Sequence, residues 1–139
     1  TAASGCSSYA GIPLTHRGIS QGCTFVTGHA AKNLEIDWDA LARLEHTLIF
    51  YMGLSQAKEI SAKLIASKLP PSTPAAIVEN GSTPHQRVFI GTLETLEKLA
   101  IKNEIQSPAL IIIGDTIKLQ SQLDWFSTNS TSSPLKQTA

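Results

Sequence analysis

Short apolar runs alternate with segments of helical periodicity along this chain of 139 residues. Five runs have the β-branched, aromatic or continuously apolar composition of strands, and they read GCTFVTGH, HTLIFYMG, AAIVENG, QRVFIGTL and SPALIIIGD. The helical segments read TAASGCSSYAG, DWDALARLE, SQAKEISAKLIASKL, ETLEKLAIKNE and IKLQSQLDWF. This alternation predicts an α/β layer fold with a mixed, mostly parallel five-stranded sheet flanked by helices.

Turn and cap residues refine this prediction. The third and fourth runs have no helix between them, and the turn pair Asn80-Gly81 ends the third run, which predicts an antiparallel hairpin. The second and fifth runs are almost wholly apolar, as expected of strands that helices bury on both faces. Asp37 and Ser55 stand where the side-chain caps of the second and third helices are expected.

Breaks in the pattern divide the chain into three parts. Residues 1–20 hold a helix of small residues and then GIPLTHRG, in which Pro13 disfavours helix for the residue before it, so this second part is predicted to be an extended linker. Residues 21–126 carry the alternating pattern of the predicted α/β domain. Residues 127–139 are polar and low in complexity, which predicts a disordered tail.

Charge and composition exclude several kinds of partner. Lys and Arg total 11, as do Asp and Glu, so the formal net charge is zero. A nucleic-acid binder would need a basic stripe to neutralise phosphates, and the apolar runs are far too short to span a bilayer. We therefore expect neither nucleic acid nor a membrane as partner. Cys6 and Cys23 match no metal or disulfide pattern, which favours reduced thiols in the cytoplasm.

No catalytic constellation is visible in the sequence. The histidines fall in separate segments without zinc-site spacing, so no metal site is predicted, and the catalytic residues stay unknown. Three loops follow the second, third and fifth runs, namely YMGLS, ENGSTPHQR and GDTI. Ligands collect beyond the carboxyl ends of strands in open α/β sheets, so we expect these loops to border one small-molecule cleft. Met52, the only methionine, either lines that cleft or fills the core.

Five segments, in this order, resemble one family: YAGIPLTHRG, TFVTGH, DWDALARLEHTLIFYMGLS, AAIVENGSTPHQRVFIGTL and SPALIIIG. They are similar to the C-terminal half of the uroporphyrinogen-III C-methyltransferases, which are tetrapyrrole (porphyrin/corrin) methylases. The resemblance implies that residues 1–20 are the last helix of the N-terminal domain and the interdomain linker, and that residues 21–126 are the C-terminal domain. The resemblance implies a cytoplasmic homodimer that binds S-adenosylmethionine between two α/β domains. It also implies methylation of uroporphyrinogen III at carbons C2 and C7 to precorrin-2, on the route to sirohaem and cobalamin. The family's GGDP loop is absent here, so we expect this chain alone to be inactive.

The resemblance also implies cofactor contacts. Thr1 and Ala2 match the family's Thr-Ala pair, which would hydrogen-bond the carboxylate end of the cofactor. Met52 matches the methionine of the YMG motif, which would pack against the cofactor. Gly81 matches the glycine of the ENG motif, where the lack of a side chain would leave room for the cofactor.

Further contacts follow more loosely from the same resemblance. Ala76 and Gly114 are expected at strand ends that flank the adenine. His16 and Arg17 lie in the linker and are expected to face the substrate, whose carboxylates a guanidinium pairs with well. The alternative, that Arg17 only ties the linker to the domain, is equally consistent with the sequence. His85 and Arg87 are further basic candidates, or simply solvated residues of the hairpin.

Two other functions are consistent with the same residues. The chain is either an inert dimerisation and scaffold module, or part of a methylase that acts on a later corrinoid intermediate. The sequence leaves open whether the parent enzyme stands alone or is fused to a dehydrogenase/chelatase module.

Overall fold

The computed structural model describes residues 1–28 and 35–126. Within these ranges a five-stranded sheet has the strand order β1-β2-β5-β3-β4. The strands are β1 (Cys23–Thr27), β2 (Thr47–Tyr51), β3 (Pro74–Glu79), β4 (Arg87–Thr92) and β5 (Ala109–Ile113). The α-helices are α1 (Ala2–Ala10), α2 (Trp38–Arg43), α3 (Ala57–Ala66), α4 (Leu96–Lys102) and α5 (Gln120–Leu123). The predicted α/β class and all five strands are confirmed.

The sheet is mixed, as predicted, but it is not mostly parallel. Only β1 and β2 pair in parallel, whereas β2–β5, β3–β5 and β3–β4 are antiparallel. Helix α3 connects β2 to β3, and these two strands run in the same direction, but β5 lies between them in the sheet. Likewise α4 joins β4 to β5 across β3. Because these two connections skip a place in the sheet, β5 runs opposite to its neighbours β2 and β3, and β4 runs opposite to β3.

Two apolar layers cover the two faces of the sheet. Helices α2, α3 and α4 pack on one face, around buried side chains such as Phe50, Ile77 and Ile111. Helix α1, the segment after it and a 3₁₀ turn that follows β5 cover the other face, around Ile49 and Ile112. Strands β2 and β5 are therefore buried on both faces, as their continuous apolar sequence predicted.

Local signals in the sequence were mostly right. The Asp37 side chain caps α2 by accepting a hydrogen bond from the Ala40 N–H at 2.9 Å. The β3–β4 hairpin is antiparallel, with Glu79 opposite Arg87. The predicted cap at Ser55 is wrong, because a 3₁₀ turn over Leu54–Gln56 leads into α3, which begins without a side-chain cap.

Strand direction defines two edges of the sheet. The edge where β1, β2 and β3 end, and where β4 and β5 begin, is named the Met52 edge. The edge where β4 and β5 end is named the Gly114 edge. Every helix in the described ranges is too short or too polar to cross a bilayer. His29 and the predicted tail over residues 127–139 lie outside the described residues.

Candidate functional site

Met52 lies on the surface at the end of β2. Its side chain is 64% exposed, so it does not fill the core. Its backbone has a φ of 51°, in the left-handed region that non-glycine residues seldom adopt. Such conformations cluster where a fold presents groups to a ligand. An exposed, polarisable thioether at a strand end is a suitable surface for an apolar or sulfur-bearing ligand.

A pocket of about 690 Å³ adjoins Met52, and this volume lies in the range of small-molecule sites. One wall is formed by the turn after β2, and the other by α4 and the segment that leads into β5. The lining includes Met52, Leu54, Ile101, Gln106, Ser107 and Ala109. The sequence prediction missed the second wall, because it placed the end of β5, and not its beginning, beside Met52.

Gly81 follows β3 at the same edge and is in close contact with α1. A Cβ atom at Gly81 would lie 2.3 Å from the Cys6 Sγ atom and 2.9 Å from the Cys6 Cβ atom. The packing of α1 alone therefore requires glycine at this position, which is a second reason for the residue beside the predicted room for a cofactor. Burial raises the pKa of the Cys6 thiol, so Cys6 is a neutral packing group here.

The first turn of α1 reaches the Met52 edge. The Ala3 N–H donates a hydrogen bond to the Tyr51 hydroxyl oxygen at 2.9 Å, and Tyr51 directly precedes Met52. Thr1 is the N-cap residue of α1, but its side chain makes no capping hydrogen bond. Thr1 and Ala2 are exposed. Helix N-termini carry N–H groups without intrahelical partners and favour anionic groups.

A buried carboxylate that the sequence analysis missed lies under this edge. Glu79 is only 3% exposed. Its Oε2 atom accepts a hydrogen bond from the Arg87 Nε, and its Oε1 atom accepts one from the Gln106 N–H at 2.6 Å. The hydrogen bond from Arg87 is the main cause that holds the pKa of this carboxyl below its ordinary value. The available signal was an acid that closes an apolar strand opposite an arginine in the predicted hairpin.

Two predicted cofactor residues do not lie at a strand end of the Met52 edge. Ala76 is fully buried inside β3, between Ile90 and Ile112 on the neighbouring strands. Gly114 donates its N–H to the oxygen of Pro74, the first residue of β3. Because β5 runs antiparallel to β2 and β3, Gly114 lies about 16 Å from Met52 along the sheet. The expectation of three loops around one cleft is thus wrong for the loop after β5.

The linker residues also lie at the Gly114 edge. His16 and Arg17 are exposed in a turn in which the Ser20 N–H donates to the His16 oxygen. The Ser20 hydroxyl oxygen accepts a hydrogen bond from the N–H of Thr47, the first residue of β2. The described residues therefore do not bring His16 and Arg17 together with Met52, and their contact with a substrate stays a prediction.

The two basic candidates in the hairpin have different surroundings. Arg87 is engaged by Glu79, which offsets its charge. His85 is exposed in the turn between β3 and β4. Across residues 1–28 and 35–126, no three His, Cys, Asp or Glu side chains come together in the way that metal ligands do.

Comparison of the sequence with known proteins identifies its family. The profile of the Tetrapyrrole (Corrin/Porphyrin) Methylases matches residues 1–97. A siroheme synthase of Nitrosomonas europaea is 54% identical over 136 residues, which cover 97% of this chain and 28% of that protein. A siroheme synthase 2 of Serratia proteamaculans is 51% identical over 139 residues, or 29% of its length. The chain thus spans less than a third of these relatives.

Solved structures agree with the sequence relatives. The uroporphyrin-III C-methyl transferase of Thermus thermophilus, complexed with S-adenyl homocysteine, is 33% identical with a TM-score of 0.69. The match covers 81% of this chain and 51% of that one. A cobalt precorrin-4 methyltransferase shares the fold with a TM-score of 0.77, at 18% identity over 84% of this chain and 50% of that one. The sequence resemblance is confirmed, and this chain belongs to the tetrapyrrole (corrin/porphyrin) methylases.

Proposed function

We propose that this chain forms the cofactor-binding part of an S-adenosylmethionine-dependent uroporphyrinogen-III C-methyltransferase. The reaction proposed is methylation at carbons C2 and C7 to give precorrin-2, for sirohaem and cobalamin synthesis in the cytoplasm. The observation that carries the proposal is the convergence of Met52, Gly81 and the first turn of α1 at one edge of the sheet. These are the residues that the family resemblance assigns to the cofactor.

The residues at the Met52 edge have the chemistry that such a cofactor needs. The exposed Met52 side chain offers apolar surface next to a pocket of about 690 Å³. Thr1 and Ala2, at the start of α1, offer N–H groups and the positive end of the helix dipole to the cofactor's carboxylate. We therefore assign Met52 to the apolar part of the cofactor, and Thr1 and Ala2 to its amino-acid end.

The chemistry supplied by the bound cofactor is an electrophilic methyl group on a sulfonium. The pyrrole carbons of the substrate are electron-rich and need no covalent activation by the protein. Within the described residues, the work left for the side chains is to orient the cofactor and to exclude water from the reacting carbon. That work requires no nucleophilic side chain.

The substrate side of the proposal concerns the linker. Arg17 and His16 stand about one strand length from Met52, at the opposite edge. A tetrapyrrole that carries many carboxylates is a wide ligand, and the linker is one place where such a carboxylate would meet a cation. We propose this contact, together with homodimer formation, as features of the complete enzyme.

Binding of S-adenosylhomocysteine to this chain tests the proposal. A calorimetric titration should give saturable binding, with a stoichiometry near one. The absence of binding would contradict the assignment of the cofactor to the Met52 edge and would favour the alternative of an inert scaffold module.

The position of methylation needs a second experiment. This chain would be joined to the N-terminal half of a relative and incubated with S-adenosylmethionine and, in parallel reactions, with uroporphyrinogen III or a later corrinoid intermediate. A product with two added methyl groups, at C2 and C7, would support the proposal. Methyl transfer only to a later corrinoid intermediate would contradict it and support the other methylase alternative.

A further inference from the structure

The segment that leads into β5 is attached to the end of β3 by two hydrogen bonds, which involve the consecutive β3-end residues Glu79 and Asn80. The Gln106 N–H donates to the Glu79 Oε1 atom at 2.6 Å, and the Asn80 N–H donates to the Pro108 oxygen at 3.0 Å. This segment, residues 106–109, supplies the pocket wall opposite Met52. Its distance from Met52 therefore depends on how firmly Glu79 and Asn80 hold it.

Glu79 is itself held from the hairpin. Its second oxygen is occupied by the Arg87 Nε, and the Arg87 guanidinium lies 5.0 Å from the centre of the Phe89 ring. A continuous set of contacts thus runs from β4 through a buried carboxylate to the pocket wall. Both carboxylate oxygens are used, one on each side of the contact chain.

Stability alone gives no strong reason for this arrangement. Taking a carboxylate out of water is costly, and well-packed apolar groups often replace a buried ion pair without loss. The residues of β3 before Glu79 are apolar, and all of them after Pro74 are buried. What the carboxylate provides, and an apolar side chain would not, is a directed acceptor for the backbone of residue 106.

We propose that Glu79 is a positioning residue that sets the width of the pocket beside Met52 by fixing residues 106–109 against the end of β3. This inference rests on the proposed function and extends it, since Met52 is the one predicted cofactor residue among those that line the pocket. Glu79 acts through Gln106 and does not itself line the pocket. Loss of the carboxylate should therefore loosen this wall of the pocket and lower the affinity for S-adenosylhomocysteine, even in a fully folded protein.

The test compares Glu79→Gln with a control that removes a buried hydrogen bond elsewhere. The glutamine keeps an acceptor for Gln106 but turns an N–H₂ group toward Arg87, so the contact chain is broken at one link. The control is Ser61→Ala, because the buried Ser61 hydroxyl donates to the Leu93 oxygen, away from the pocket. Arg87→Gln is the second variant, since the half-exposed arginine is less critical for folding.

The readouts are the dissociation constant for S-adenosylhomocysteine, measured well below each melting temperature, and the exchange rate of the Gln106 amide. Glu79→Gln and Arg87→Gln should each raise the dissociation constant roughly tenfold and speed exchange at Gln106. The double variant should be no worse than the poorer single variant, because both act through one contact chain. Ser61→Ala should lower the melting temperature and leave the dissociation constant unchanged.

The outcomes separate this inference from the proposed function. If the wild-type chain binds S-adenosylhomocysteine and the Glu79 and Arg87 variants bind it with unchanged affinity, the positioning role is overturned. The proposed function then stands. Wild-type chain that does not bind would overturn both. If Glu79→Gln does not fold, the affinity of Arg87→Gln alone decides the matter.

Discussion

The backbone N–H of Ala3 donates a hydrogen bond to the Tyr51 hydroxyl oxygen at 2.9 Å, and this contact joins the first turn of α1 to the end of β2. Because Ala3 is fully buried, its N–H has no access to water as a substitute partner. Thr1 and Ala2 directly precede Ala3, and Met52 directly follows Tyr51, so this contact links the two segments that carry predicted cofactor residues. Tyr51 thus sets the relative position of the two halves of the proposed cofactor site.

Tyr51→Phe should lower the free energy of unfolding by about 1 kcal/mol, since it leaves the Ala3 N–H without its acceptor. It should also weaken binding of S-adenosylhomocysteine, because the start of α1 is no longer fixed. Denaturant unfolding and calorimetry measure the two effects. Tyr9→Phe, in the same helix, keeps the ring contacts with Trp125 and Phe126 and should change neither quantity. Equal affinity in Tyr51→Phe and wild-type chain would show that α1 does not contribute to the site.

Met52→Ala should separate binding from stability. The side chain is 64% exposed, so its truncation should leave the melting temperature nearly unchanged. If the thioether packs against the cofactor, the dissociation constant for S-adenosylhomocysteine should rise at least tenfold. Ile90→Ala is the matched control, because Ile90 is also a large exposed apolar residue but lies on β4. If Met52→Ala and Ile90→Ala change the dissociation constant to the same extent, Met52 does not contact the cofactor.

Gly81→Ala should destabilise the chain by about 2 kcal/mol, since the new Cβ atom would overlap the Cys6 side chain. Adding Cys6→Ala removes the nearest overlapping atom, Sγ, and should restore part of this stability. The double variant then answers a second question. Weak binding of S-adenosylhomocysteine by a restabilised double variant would mean that the cofactor itself needs the space at Gly81. Normal binding would mean that glycine serves only the packing of α1.

Acid should weaken the Met52 edge through Glu79. The pKa of this carboxyl is lowered in the folded protein, chiefly by the hydrogen bond from Arg87, so the unfolded chain binds the proton more readily. The stabilisation is fully present above the unperturbed glutamate pKa of about 4.3 and is lost as the pH falls through the lowered pKa of the folded state. Denaturant unfolding would be measured at a series of pH values from roughly pH 6 downward. The free energy of unfolding should fall more steeply with pH in the wild-type chain than in Glu79→Gln. Identical slopes would contradict the role assigned to this ion pair.

The strands and the hairpin were predictable because each depends on local sequence. Apolar runs marked β2 and β5 as buried, and the Asn80-Gly81 turn marked the reversal between β3 and β4. The order of strands in the sheet could not be predicted in this way. The alternation of strands and helices does not show whether a helix connects neighbouring strands or strands with another strand between them. For that reason Gly114 was expected beside Met52 and lies instead at the opposite edge.

The site was predictable only in part, for a related reason. The family motifs pointed to Met52 and Gly81, and the structure brings both to one edge. The contact of Gly81 with Cys6, and the buried carboxylate of Glu79, join segments that are distant in sequence. No periodicity or motif encodes such contacts. They follow only once α1 and residues 106–109 are placed against the end of β3.

The central claim, that the Met52 edge binds the cofactor, has a direct spectroscopic test because the chain contains one methionine. A sample labelled with ¹³C only at the methionine methyl group gives a single resonance, which reports on Met52. Titration with S-adenosylhomocysteine should shift this resonance in a saturable way, with the same midpoint as the calorimetric curve. A resonance that stays in place while the ligand binds, or a chain that binds no ligand, would contradict the account.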